Sequence, residues 1–112
     1  MAKPASRAYS SYSYDALQLL AQMIRRARIE RKLTAQELAD RAGISRGLMQ
    51  RIERGDPGCA IGAVFETAAI VGVRLFDADQ PTMAAHLSAN RATLALMPKT
   101  VRPAGRKVKD DF

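Results

Sequence analysis

The segment LTAQELADRAGISRGLMQRIERG, residues 33–55 of this 112-residue chain, decides the fold. Apolar side chains recur in its first half at positions i, i+3, i+4 and i+7, which predicts a short helix with one buried face. Thr34 is placed to cap this helix, and Glu37 three residues later completes a capping box. Gly43 supplies the left-handed residue that ends the helix. The apolar positions are Ala35, Leu38, Ala39 and Ala42.

A second helix is predicted almost directly after Gly43. Ser45 is its expected N-cap, and Met49 and Ile52 are expected to point into the core. Two helices joined by a glycine-containing turn of about three or four residues form a helix-turn-helix. The outward side of the second helix offers hydrogen-bond donors for base edges and phosphates, with a small residue for close approach. These outward residues are Arg46, Gly47, Gln50 and Arg51.

The length and charge of the chain are typical of one small domain that binds a polyanion. The chain has 18 Lys and Arg against 11 Asp and Glu, a formal net charge of +7. Such an excess of positive charge most often indicates that the protein binds nucleic acid. The alternative is a basic surface that only contacts solvent. An aliphatic core of this size is small, so dimerisation is a natural way to bury more surface.

Several functional classes find no support in the sequence. A single cysteine, Cys59, excludes an intramolecular disulfide and a Cys-based zinc site. It lies near a predicted helix N-terminus, which can lower a thiol pKa, but a structural or merely tolerated cysteine is the favoured interpretation, because no base motif accompanies it. No metal site, cofactor site or catalytic constellation is predicted, and His86 is read as a surface residue. With no apolar run near 18 residues and no signal peptide, we expect a cytoplasmic, nucleoid-associated bacterial protein without a membrane segment.

Residues 1–14 are predicted to form a flexible arm. Ser13 or Asp15 is expected to cap a first long helix, running to about Lys32, whose core stripe has spacings of three and four. The other side of this helix carries a cationic cluster that either contacts phosphate or is a solvated face. The core stripe is Leu17, Leu20, Ile24 and Ala27, and the cations are Arg25, Arg26, Arg28, Arg31 and Lys32.

A fourth helix is predicted from Cys59 or Ala60 to about Val71, and it completes a DNA-binding domain over residues 15–79. Phe65 and Phe76 are the largest apolar groups here, and both are expected in the core. The buried face of this helix is predicted to consist of Ile61, Val64, Phe65, Ala68 and Ala69.

A C-terminal helix is predicted over residues 80–97, with Pro81 at its first position. Its near-heptad stripe serves either as a dimer seam or for packing onto the domain's own core, with Asn90 available to set the register. Residues 98–112 carry five cations and two acids among prolines and a glycine, which predicts a disordered basic tail that binds DNA or a protein. The stripe is Met83, Leu87, Asn90, Leu94 and Met97.

From about residue 24 to residue 76 the chain resembles the Xre/Cro-type family of phage-repressor helix-turn-helix proteins. The resemblance lies in the frame L-T-x-x-E-L-A-x-x-A-G-I-S-R-x-x-x-x-R-I-E-x-G and a later V-G-V-x-L-F. It implies an all-α, five-helix repressor-like domain with an extra C-terminal helix and a basic tail. The whole combination looks most like the HipB-like antitoxins, which neutralise a HipA-type kinase toxin and repress their own operon. A prophage-type regulator without a toxin partner is the alternative.

The resemblance implies a recognition helix over about residues 45–54 that enters the major groove. Arg46 and Arg51 suit guanine, and Gln50 reads adenine or binds phosphate. Leu48 either contacts a thymine methyl group or packs against its helix neighbours. The residues assigned to DNA binding by this resemblance are Gln36, Ser45, Arg46, Gly47, Leu48, Gln50, Arg51 and Arg54.

The resemblance also implies a structural ion pair between Arg28 and Glu53, and phosphate contacts near Arg54. One position departs from the family, since many relatives have a phosphate-binding glutamine where this chain has Ala35. Either Gln36 substitutes for it, or this phosphate contact is missing. The implied partners are double-stranded DNA with a palindromic operator, a second copy of the chain and a HipA-type kinase toxin.

Overall fold

The computed structural model describes residues 8–103 and contains five α-helices in that range. A short 3-10 turn, Leu75–Asp77, lies between the fourth and fifth helices, and no strand occurs among the described residues. The predicted all-α class with five helices is therefore confirmed. The helices are α1 Ser11–Glu30, α2 Ala35–Ala42, α3 Arg46–Glu53, α4 Ile61–Ile70 and α5 Gln80–Ala95.

The chain divides into two compact units between Asp77 and Ala78. In the first unit α1 and α2 each pack against both α3 and α4, and they enclose one aliphatic core. Helix pairs this short are stabilised mainly by such packing of their apolar faces. The core therefore fixes α2 and α3 through their buried faces. Its buried members are Ile24, Leu38, Ala39, Met49, Ile52, Ala68 and Val71.

The α2–α3 motif is built as the sequence predicts. Thr34 Oγ1 accepts the Glu37 N–H at 3.0 Å, and Glu37 Oε1 accepts the Thr34 N–H at 2.8 Å, so the capping box is present. The Thr34 N–H, followed by the Thr34 hydroxyl, holds the pKa of Glu37 below its ordinary value. Gly43 ends α2 with φ 71°, a left-handed conformation that glycine adopts without steric cost. Ser45 Oγ then accepts the Leu48 N–H at 3.0 Å and starts α3.

The N-terminal boundary of α1 differs from the prediction. The helix begins at Ser11 with Ser10 as its N-cap, so Ser13 and Asp15 are not the cap and the arm predicted over residues 1–14 is wrong from Ser11 onward. The Ser10 hydroxyl accepts the Ser13 N–H at 3.2 Å. Local capping thus extends the helix through a Tyr- and Ser-rich segment without an apolar period. Residues 1–7 of the predicted arm lie outside the described residues.

The buried face of α4 also differs from the prediction. Ile61, expected in the core, is 68% exposed, and Ala69 is exposed too. Thr67 and Ala68 are fully buried instead. The Thr67 hydroxyl donates to the Val64 carbonyl at 2.8 Å, which satisfies a polar group that would be costly to bury alone.

Phe76 lies outside the core, contrary to the prediction. It is 77% exposed. Phe65, also expected in the core, is half-buried and belongs neither to the core cluster nor to the side chains packed against it. The backbone at Phe76 and Asp77 is left-handed, with φ 54° and 52°, and this turn directs the Phe76 side chain outward. The two rings meet edge to face with their centroids 6.3 Å apart.

In the second unit, α5 starts at Gln80 and is capped by Asp79, whose Oδ1 accepts the Thr82 N–H at 2.9 Å. Pro81 is therefore the second helical residue and not the first. The helix contains no buried residue, and Leu87 and Leu94 of the predicted stripe are 56% and 66% exposed. The predicted span 80–97 is two residues too long, because the helix ends at Ala95. Residues 98–103 are not helical, and residues 104–112 of the predicted tail lie outside the described residues.

Candidate nucleic-acid interface

The outward face of α3 consists of residues that follow the helical period away from the core. Met49 and Ile52 are buried on the opposite side, which fixes the rotation of the helix about its axis. A Cβ atom added at Gly47 would meet nothing closer than Ser45 Oγ at 4.0 Å, so no other part of the chain covers α3 at this position. Its residues are Arg46, Gly47, Gln50 and Arg54, which are exposed, and Arg51, which is half-buried.

Leu48 does not belong to the outward face. It is half-buried and packs against the core cluster, four residues before the buried Ile52 on the same flank of the helix. This packing favours the second alternative for Leu48, and a contact with a thymine methyl group stays a prediction.

Arg28 and Glu53 form a double ion pair that joins α1 to the last residue of α3. Arg28 Nε and Nη2 donate to the two carboxylate oxygens of Glu53 at 2.7 and 3.0 Å, and Arg28 Nη1 donates to the Leu33 carbonyl at 2.9 Å. The two side chains are only 12% and 11% exposed. The hydrogen bond to Glu53 is the main cause that raises the pKa of Arg28. The pair thus holds α1, the loop before α2 and the end of α3 together.

Gln18 makes a second connection from α1 to the end of α3. Its Nε2 donates to the carbonyl of Arg54, the C-cap residue of α3, at 2.9 Å. Gly55 follows with φ 75°, and a Cβ atom there would collide with the Gln18 amide. This role of Gln18 was not predicted, because an exposed polar residue on α1 carries no local signal of such a contact.

Arg51 is held by Asp56, which lies in the turn directly after α3. Its Nε donates to Asp56 Oδ2 at 2.9 Å, across the C-terminal end of α3. The bond from Arg51, followed by the one from the Gly58 N–H, holds the pKa of Asp56 below its ordinary value. Asp56 is therefore ionised at neutral pH.

A shallow groove of about 480 Å³ lies between α1 and the C-terminal half of α3. It brings three guanidinium groups together with one carboxylate, so its lining is positively charged. Its position beside the outward face makes it suitable for a phosphate group. The lining residues are Arg25, Arg28, Gln50, Glu53 and Arg54.

At the N-terminus of α2, the side chain expected to bind phosphate is already hydrogen-bonded within the helix. Ala35, its first residue, packs against the core. The amide of the exposed Gln36 already donates to Asp40 Oδ1 at 2.8 Å. For Gln36 to bind a phosphate, its amide must therefore break the hydrogen bond to the neighbouring Asp40 carboxylate.

Cys59 does not have the lowered thiol pKa that a helix N-terminus would give. It is half-buried, and burial raises its pKa. Within residues 8–103, no group of three or more His, Cys, Asp or Glu side chains is arranged to hold a metal ion. No helix of that range has the length and apolarity needed to cross a membrane.

Residues 19–87 match a family model described as a helix-turn-helix domain. The matched range exceeds half of the 112 residues and contains α2, α3 and α4 completely. It also contains the outward face of α3 and both partners of the Arg28–Glu53 and Arg51–Asp56 pairs. No curated protein and no solved structure matches the chain significantly.

Proposed function

The chain belongs to the helix-turn-helix domain family, and from this premise we propose that it is a sequence-specific DNA-binding transcriptional repressor. The observation that carries the proposal is the outward face of α3. Three arginines, a glutamine and a glycine lie together on a helix whose opposite side is fixed in the core. Arginine and glutamine are the side chains that pair in bidentate fashion with guanine and adenine in the major groove.

In this proposal α3 lies in the major groove, with Arg46 and Arg51 on guanines and Gln50 on adenine or phosphate. Phosphates occupy the positive groove beside Arg54 and bind Gln36 at the start of α2. Phosphate contacts fix register and orientation, whereas base contacts specify the sequence. The net charge of +7 supplies the long-range attraction to DNA.

We further propose that two copies bind a palindromic operator with half-sites about one helical turn apart. The exposed apolar side chains of α5 support this proposal, because a helix with no buried residue favours association with a partner. Charge does not oppose it, since Arg91 is the only Lys, Arg, Asp or Glu on that helix.

Repression is tested with a reporter gene placed under the promoter of the protein's own gene. We expect the wild-type chain to lower reporter expression and Arg46→Ala to relieve most of that repression, because one base-reading arginine contributes about 1–3 kcal/mol to operator binding. Equal expression with and without the wild-type chain would contradict autoregulation.

A second role, neutralising a HipA-type kinase toxin, is proposed from the Xre/Cro-type and HipB-like resemblance of the sequence. The exposed Leu87 and Leu94 of α5 support it as an alternative to the dimer contact proposed above. The alternative is a prophage-type regulator without a toxin. An adjacent kinase-like gene favours the antitoxin, and an adjacent phage lysis or integration module favours the prophage regulator.

The antitoxin role predicts that the product of an adjacent kinase-like gene co-purifies with the full chain and loses its toxicity when both are expressed. Deletion of residues 98–112 tests the tail in the same assay. Unchanged binding after the deletion removes the tail from the interface, and absence of any complex contradicts the antitoxin role.

A further inference from the structure

Asp56 is held in one position by contacts on both of its carboxylate oxygens. Oδ2 accepts from Arg51 Nε at 2.9 Å, and Oδ1 accepts from the Gly58 N–H at 2.7 Å. The Asp56 N–H donates in turn to the Arg51 carbonyl at 3.1 Å. The turn after α3 is thus tied back to the helix through Arg51, by one main-chain bond and one charged side-chain bond.

The guanidinium of Arg51 also lies close against this turn. A Cβ atom at Gly58 would stand 3.1 Å from Arg51 Nη2, tighter than ordinary van der Waals contact. Glycine at this position therefore leaves room for the guanidinium to approach the backbone. With Nε occupied by Asp56, the Nη1 and Nη2 groups remain as donors on a side chain that is 43% exposed.

We propose that Asp56 is a positioning residue that holds Arg51 so that its terminal nitrogens read one guanine in each half-site. This inference rests on the proposed function, in which α3 lies in the major groove. A free arginine loses rotamer entropy when it binds a base, and a carboxylate that fixes it beforehand reduces that loss. Guanine is the base that fits, because its O6 and N7 are two acceptors on one edge.

The Asp56 carboxylate has the opposite effect on non-specific DNA binding, which it weakens. An ionised aspartate close to DNA repels phosphates and lowers non-specific affinity. Asp56 therefore raises discrimination between sequences while lowering affinity for any sequence. A residue that served only the stability of α3 would not change these two quantities in opposite directions.

The test begins with selection of binding sites from a random duplex library by the wild-type chain and by Arg51→Ala. The comparison identifies the guanine that the wild-type chain requires and that Arg51→Ala no longer requires. In one duplex this guanine is then replaced by adenine. Binding of each protein to the guanine duplex, the adenine duplex and an unrelated duplex is measured by fluorescence anisotropy. Asp56→Ala is compared with Glu66→Gln, which neutralises an exposed carboxylate on α4, outside the α2–α3 motif.

We expect Asp56→Ala to reduce the guanine-over-adenine preference about fivefold, with unchanged or higher affinity for the unrelated duplex. Glu66→Gln should leave the preference unchanged. Asp56→Asn keeps an acceptor for the Gly58 N–H and serves as the second variant if the alanine protein melts early. A preference within twofold of wild type in both Asp56 variants, or an equal loss on all three duplexes, would overturn the inference.

Failure of the inference differs from failure of the proposed function in this experiment. If the wild-type chain enriches no sequence, the repressor proposal is wrong and the inference is wrong with it. If wild type enriches a sequence in which no guanine depends on Arg51, only the role of Asp56 in base reading is overturned.

Discussion

Glu53→Ala should lower the free energy of unfolding by about 3 kcal/mol, measured by urea unfolding followed by circular dichroism. The variant leaves the charge of Arg28 without its carboxylate in a site where the arginine side chain is only 12% exposed. One hydrogen bond, to the Leu33 carbonyl, would remain. The cost is large because removing one partner of a buried pair leaves an uncompensated charge.

The exposed Arg26–Glu30 pair on α1 provides the matched control. Its side chains are 79% and 61% exposed, so Arg26→Ala should change the free energy of unfolding by less than about 0.5 kcal/mol. The double variant Arg28→Met with Glu53→Leu should recover most of the loss, because it leaves no buried charge unpaired. A Glu53→Ala effect as small as that of Arg26→Ala would contradict the structural role of the pair.

Arg51→Ala should weaken binding to the operator by roughly 10- to 100-fold and binding to an unrelated duplex by less than about threefold. The base contact is lost only on the operator, whereas the lost charge acts on both duplexes. Fluorescence anisotropy at one salt concentration measures both affinities. The bond to Asp56 is partly exposed to solvent, so its loss should leave the variant folded.

Arg74→Ala is the control for charge alone. Arg74 is exposed and lies after α4, outside both helices of the motif. This variant removes one positive charge without changing the outward face of α3, so any loss should be small and similar on both duplexes. If Arg51→Ala behaved in the same way as Arg74→Ala, Arg51 would not read a base.

The α2–α3 motif could be predicted because its determinants are local. Thr34 and Glu37 cap through neighbours in sequence, and Gly43 is the residue that a left-handed helix end prefers. The inward direction of Met49 and Ile52 follows from the helical period. These features fix the outward face of α3 from the sequence alone, except that Leu48 lies on the flank where outward and inward positions meet.

The remaining features depend on tertiary structure that no local pattern encodes. Phe76 is apolar, yet the left-handed backbone after α4 turns it outward. In the sequence Asp56 looks like an ordinary turn residue, and only the folded chain places Arg51 beside it. Gln18 contacts the carbonyl of a residue 36 positions later, which only the packing of α1 on α3 can bring close.

The central claim is that the outward face of α3 reads DNA sequence, and the ratio of two affinities tests it most directly. The wild-type chain is titrated against DNA from the promoter of its own gene and against a duplex with the same bases in scrambled order, at about 0.15 M salt. We predict that the promoter DNA binds about a thousandfold more tightly or better. Equal affinity for the two duplexes would contradict the claim.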